Sequence, residues 1–121
     1  MRLLLTISLL AWFSLAQADS IRMLIQQSPL AGSQFYALPE VLGEIRPGDV
    51  LDLVRESDNR HDAKAIRVEW RGRKLGYLPR AQNRAVSAAM DRGERLTARV
   101  SSISDNKNPW LRLTLEVYAE L

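Results

Sequence analysis

The stretch Leu53 to Ile66, LVRESDNRHDAKAI, most constrains what this chain can fold into. An apolar, β-prone run (Val50, Leu51, Leu53, Val54) meets a loop that crowds Arg55, Glu56, Asp58, Asn59, Arg60, His61, Asp62 and Lys64 into ten positions. A second β-prone run then starts abruptly at Ala65 and Ile66. A hairpin connection needs only a few residues, usually with Gly or Pro to set the turn. This one has neither, so its side chains either hold it in shape or bind something. The plain reading is a loop in which Asp58, Asn59 and Asp62 hydrogen-bond nearby backbone. Ligand binding ranks second, and a metal or catalytic role for His61 and its acidic neighbours ranks third.

Around this loop the chain reads as short strands. Ile21, Met23 and Ile25 alternate with Arg22, Leu24 and Gln26 in a first strand that runs on after Pro29 into Leu30 and Ala31. Ala37 to Ile45 contains room for one helical turn, and Arg46-Pro47-Gly48-Asp49 is a turn. Val50 to Arg55 is the second strand, Ala65 to Trp70 the third and Lys74 to Leu78 the fourth, with a tight hairpin at Arg71-Gly72-Arg73. Pro79 suits the first turn of a helix that ends near Arg92, before Gly93. Ala81, Ala85, Val86, Ala89 and Met90 form its apolar face. Leu96 to Ile103 and Trp110 to Tyr118 complete six strands, the last with Leu111, Leu113, Leu115 and Val117 on one face. The expected fold is mainly β: a small, partly closed, OB-like antiparallel β-barrel with one inserted α-helix.

The first eighteen residues stand apart. Met1 and Arg2 are followed by the mostly apolar Leu3–Leu15 and by the small-x-small site Ala16-Gln17-Ala18. That is the layout of a secretory signal peptide. Thirteen such residues fall short of the roughly 20 that span a bilayer. The expectation is cleavage after Ala18, a periplasmic or secreted product, no stable membrane insertion after cleavage, and one domain over residues 19–121. Those 103 residues carry 16 basic and 14 acidic side chains, a net +2, which is no footprint for duplex binding by bulk charge. The chain has no cysteine. An exported protein of this kind rests on its core alone, without disulfides, thiolate zinc sites or cysteine nucleophiles. No G-x-S-x-G elbow or phosphate-binding GxxxxGK[ST] stretch is present either, and no cofactor is expected.

Several side chains stand out as candidates. His61 is the single histidine, beside Asp62. Phe35 and Tyr36 are adjacent, and in a strand they would point to opposite faces, so at most one is core. The other either covers the barrel mouth or offers a stacking platform for a base. Tyr77 follows Gly76 at the end of a strand, and its hydroxyl wants a partner. Trp70 and Trp110 sit in apolar strand patterns and read as core or rim packing. Arg55, Arg60, Lys64, Arg73 and Arg80 are cations that could surround the same pocket, each equally readable as a solvated charge.

The pattern L-x-R-E-x-x-N-x-x-D-x-x-A-I-x-V, carried by Leu53, Arg55, Glu56, Asn59, Asp62, Ala65, Ile66 and Val68, is followed by Gly76-Tyr77-Leu78-Pro79. This resembles the HIRAN domain, a small module that stands alone in bacteria and is fused to helicase-like chromatin proteins in eukaryotes. With its flanks, the resemblance covers Ile21 to Val117. It implies a similar OB-type fold and a pocket that takes the 3′ end of single-stranded DNA. In the family an Arg-aromatic-aromatic segment, an aromatic-Asp pair and a residue after the later glycine form that pocket. Gln34, Phe35 and Tyr36 align with the first, His61 and Asp62 with the second, and Tyr77 with the third. Asp62 matches outright, Phe35 lacks the hydroxyl, His61 is smaller than Tyr, and Gln34 lacks the arginine charge.

The functional expectation is therefore a nucleic-acid-binding module for single-stranded DNA, at its free 3′ end, without catalysis of its own. Its ligand-binding set is Gln34, Phe35, Tyr36, Arg55, Asn59, Arg60, His61, Asp62, Tyr77 and Arg80, with no metal. The alternative keeps the barrel as an exported binding module for a protein or saccharide partner, and a metal-dependent hydrolase ranks last. The export expectation has a direct check. Intact mass of the protein from a cell-envelope fraction should begin at Asp19, and a cytosolic species retaining Met1 would refute it.

Overall fold

A computed structural model of the protein describes residues 21–121, and the signal-peptide expectation over residues 1–18 lies outside them. Six antiparallel strands form one sheet: β1 (Arg22–Pro29), β2 (Val50–Glu56), β3 (Ala65–Trp70), β4 (Arg73–Tyr77), β5 (Leu96–Ile103) and β6 (Leu113–Glu120). Their spatial order is β1-β6-β5-β2-β3-β4. Two helices are inserted, the single-turn α1 (Leu38–Val41) and α2 (Arg84–Asp91). The ladders leave the sheet open, as a curled sheet rather than a closed barrel. Its two edges touch at one point beyond the end of β1, where Ala31 and Tyr77 exchange both backbone hydrogen bonds, at 2.8 and 3.0 Å.

That contact depends on Gly76. A Cβ there would stand 2.5 Å from the Ala31 carbonyl oxygen and 3.0 Å from Leu30 Cγ, and its φ of +156° is one that side chains rarely adopt. The β3–β4 register slips here as well: Val68 faces Gly76 while Glu69 faces Lys74, so Leu75 is an extra residue on β4. Such a bulge bends the strand and re-aims its side chains. Leu75 and Gly76 are both buried as a result. The hairpin before them is a two-residue turn, with positive φ at both Arg71 and Gly72 and Trp70 paired to Arg73, the type I′ signature.

The core gathers Leu51, Ile66, Val68, Trp70, Leu75, Val86, Val100, Leu113, Leu115 and Val117 with Leu30, Leu38, Val41 and Ile45. Leu53 is packed against this cluster but only partly buried. The expected helix from Pro79 to Arg92 is shorter than its apolar pattern. Residues Arg80–Gln82 form a 3₁₀ turn and α2 begins at Arg84, so Ala81 and Ala85 are exposed while Val86 and Ala89 are buried. The break falls at Asn83, which is buried and bonded by its side chain to Asp62.

Three further expectations are corrected. Phe35 is not in a strand: Ser33–Phe35 is a 3₁₀ turn entered through Gly32 at φ 72°, which leaves Phe35 77% exposed. Trp110 and Leu111 are exposed as well, because Pro109 and the Asn108 cap draw Pro109–Leu111 into a 3₁₀ turn and delay β6 to Leu113. The alternation in β1 also buries nothing before Ser28 and Leu30.

Truncating the fully buried Ile66 to Ala should cost about 2–5 kcal/mol in urea unfolding. Gly76→Ala should cost about 1–3 kcal/mol through backbone strain and loss of the Ala31 contact. A Gly76→Ala protein as stable as wild type would show that the edge contact is dispensable.

Candidate functional site

A cleft of about 290 Å³ opens where the polar loop, β4 and the chain after β1 meet. Ala31, Tyr36, Asn59, His61, Asp62, Ala65, Tyr77, Leu78 and Arg80 line it. The structure thus brings together six of the ten candidate binding residues. Gln34, Phe35, Arg55 and Arg60 do not line the cleft. Gln34 and Phe35 lie exposed on the 3₁₀ turn, and Arg60 is exposed on the loop. Arg55 is engaged elsewhere: its guanidinium grips the Asp91 carboxylate at 3.0 and 3.2 Å and reaches the Ala65 carbonyl, tying the loop base to α2.

The loop is held from within. Asn59 Oδ1 accepts the backbone N–H groups of His61 and Asp62 at 2.9 and 3.2 Å, and Asp62 Oδ1 accepts that of Lys64 at 2.9 Å. These bonds do the work that Gly or Pro would do in a shorter turn. The Asp62 carboxylate is fixed further by Asn83, whose amide donates to Oδ2 at 2.7 Å, and Arg80 Nε lies 3.9 Å from the same oxygen. Arg80 also donates to the His61 carbonyl. The Lys64 N–H, then Asn83 and the charges of Arg80 and Lys64, outweigh burial and hold the Asp62 carboxyl below its ordinary value of 3.8. Asp62 is thus an ionised, oriented acceptor, with 21% of its side chain open to solvent.

Glu56 joins the two walls. Its Oε1 accepts from Asn59 Nδ2 at 2.9 Å and from the Tyr77 hydroxyl at 3.0 Å, and Oε2 accepts from Arg67, which also bonds Glu69. Burial pushes the Glu56 carboxyl up, but the bonds from Asn59, Arg67 and Tyr77 prevail and hold it below 4.5. Tyr36 meets Tyr77 edge-on, with ring centres 6.1 Å apart at 68°. Lys74 donates to the Tyr77 hydroxyl at 2.8 Å. Burial lowers the affinity of Lys74 for its proton, yet the Tyr77 bond and the two tyrosine hydroxyls raise it above the ordinary value.

Sequence reasoning singled out neither Lys74, Asn83 nor the double role of Glu56. Lys74 and Tyr77 are three apart, so a regular strand would put them on opposite faces. The extra residue at Leu75 brings them together. No hydrogen bond joins the His61 imidazole to Asp62 among the described residues, so the pair is not arranged as a base and its orienting acid. Among the described residues, no three His, Asp or Glu side chains converge as a metal site, and no helix is long and apolar enough to cross a membrane.

The fold and cleft define a small β-sheet recognition module with an aromatic and carboxylate-lined pocket. Residues 24–121 match the HIRAN domain, and the chain belongs to that family of DNA-binding modules. A crystal structure of a protein from Lactobacillus plantarum, solved by the Northeast Structural Genomics Consortium, is 28% identical. It superposes with a TM-score of 0.74, over 84% of this chain and 98% of that one. The HIRAN domain of human HLTF is 19% identical and shares the fold, with a TM-score of 0.62 over 86% of this chain and 80% of that one. No curated protein matches the chain significantly.

The carboxylates give the site an acid-sensitive stability. A depressed carboxyl contributes stability above its ordinary value, 4.5 for Glu56 and 3.8 for Asp62, and loses it as pH falls through the lower folded-state value. Glu56→Gln should therefore cost about 1–3 kcal/mol at pH 7. Its stability gap from wild type should close on acidification below pH 4.5 in urea titrations. A gap independent of pH would contradict this account of Glu56.

Proposed function

We propose that this domain receives the free 3′ end of single-stranded DNA in its cleft and has no catalytic activity of its own. The observation that carries the reading is the state of Asp62. It is ionised, aimed by Lys64 and Asn83, and partly open to the cleft. Each oxygen takes one strong bond from the protein, and a carboxylate has about four acceptor positions, so capacity remains for a hydroxyl donor. A terminal phosphate at the same place would set one anion against another, which makes the site a reader of ends.

The surroundings support the same reading. Tyr36, His61 and Tyr77 offer rings on which any base can stack, a sequence-tolerant contact. Arg80 at the cleft and the exposed Arg60 and Lys64 on the loop supply charge for backbone phosphates. The turns bearing the exposed Phe35 and Trp110 lie near each other, and Tyr36 follows the first of them, so exposed aromatics for further stacking lie close to the cleft in the chain. If residues 1–18 direct export, the DNA met is extracellular or incoming.

Titration of residues 19–121 with matched 3′-hydroxyl and 3′-phosphate oligonucleotides at two salt concentrations tests this. The hydroxyl end should bind more tightly. Asp62→Ala should erase the preference, and Tyr77→Ala should weaken all single strands by about 1–3 kcal/mol. Equal, purely salt-driven binding of both ends would leave no end pocket, and an exported module for a protein or saccharide partner would become the better account.

A further inference from the structure

Lys74 stands behind the aromatic wall of the cleft. Its Nζ lies 4.0 Å from the centre of the Tyr36 ring and 4.6 Å from that of Tyr77, and it donates to the Tyr77 hydroxyl at 2.8 Å. Both rings line the cleft, and Lys74 does not. It is partly buried, and among the described residues it forms no ion pair with a carboxylate. An ammonium drawn out of water in this way needs replacement partners, and here the Tyr36 ring and the Tyr77 phenol oxygen provide them. An apolar side chain of similar length would pack there without that penalty.

What the cation adds is orientation. The Tyr77 hydroxyl accepts a hydrogen bond from Lys74 and donates one to Glu56, which also holds Asn59 and through it the backbone of His61 and Asp62. One hydrogen-bonded chain therefore runs from Lys74 to the loop that carries the acceptor. Lys74 is also the group that touches both rings, which sit at 68° to each other. With the cation against the Tyr36 ring and at the hydroxyl end of Tyr77, the far side of the Tyr36 ring and the faces of Tyr77 are left for a ligand.

We propose that Lys74 is a positioning residue: it fixes the Tyr36 and Tyr77 rings relative to each other and to Asp62, so that the terminal base stacks while the 3′-hydroxyl of its sugar meets the carboxylate. This rests on the 3′-end reading above. It assigns Lys74 no phosphate contact, which separates it from Arg80 and the loop cations.

The test is binding of a 3′-hydroxyl oligonucleotide by wild type, Lys74→Met, Lys74→Gln and Lys74→Arg, each first checked for folding by circular dichroism. Lys74→Met should bind on the order of tenfold more weakly, with the same dependence on salt as wild type. Lys74→Arg, which can still cover the rings and reach the hydroxyl, should recover most of the loss. Lys74→Gln, polar but uncharged, serves if the methionine variant does not fold. Undiminished affinity in a folded, uncharged variant overturns the inference. So does a salt slope reduced by about one, which marks a lost phosphate contact instead. Wild type that shows no preference for a 3′-hydroxyl end fails the 3′-end reading itself. Wild type that shows the preference while Lys74→Met keeps full affinity fails the inference alone.

Discussion

The backbone contact between Ala31 and Tyr77 is the constraint on which the site depends. The sheet is otherwise open, with β1 and β4 as its edges. Two hydrogen bonds draw those edges together at one point. They set Ala31 and Tyr77 on the same cleft, which Tyr36, following the Ser33–Phe35 turn, also lines. Gly76 makes the approach possible by leaving empty the space a Cβ would share with the Ala31 oxygen. A glycine can be demanded by a neighbouring backbone as well as by its own turn, and here the neighbour is more than forty residues away in sequence.

The polar loop then supplies chemistry without needing a core of its own. Its signature residues brace the loop and, on the proposed reading, face the ligand as well. Asn59 spends its side-chain oxygen on two backbone donors and its amide on Glu56. Asp62 caps Lys64 with one oxygen and takes Asn83 with the other, yet stays open to the cleft. The plain reading of this loop, as one braced by its own side chains, and the ligand-binding reading are therefore not exclusive. A carboxylate that must point in one direction needs such bracing, because freedom to rotate would cost entropy at the moment of binding.

Much of the fold was legible because the strands carry period-2 patterns bounded by Gly, Pro and Asn. The bounds of β3 and β5 follow directly from Ala65–Trp70 and Leu96–Ile103. The departures have local causes. Asn83 is called away from the helix by Asp62, which no apolar periodicity reveals. Trp110 follows a proline and an asparagine cap that turn the chain outward before β6, so an apolar residue at strand spacing ends on the surface. In the site, residues close in sequence (Asn59, His61, Asp62) were legible as a group. Lys74 was hidden because a one-residue bulge changes which side chains share a face, and bulges leave little trace in composition.

The two tryptophans in the domain now occupy opposite environments. Trp70 is 4% exposed, with its indole N–H donating to Asp49 and the Arg71 guanidinium stacked 4.5 Å from its ring. Trp110 is half exposed on the turn beside Phe35. One indole therefore samples the interior while the other samples solvent on the surface. The described residues thus carry two built-in optical reporters: quenching confined to the red-emitting, accessible population tracks contacts made at the Pro109–Leu111 turn, and a shift in the blue-emitting population tracks loss of the core.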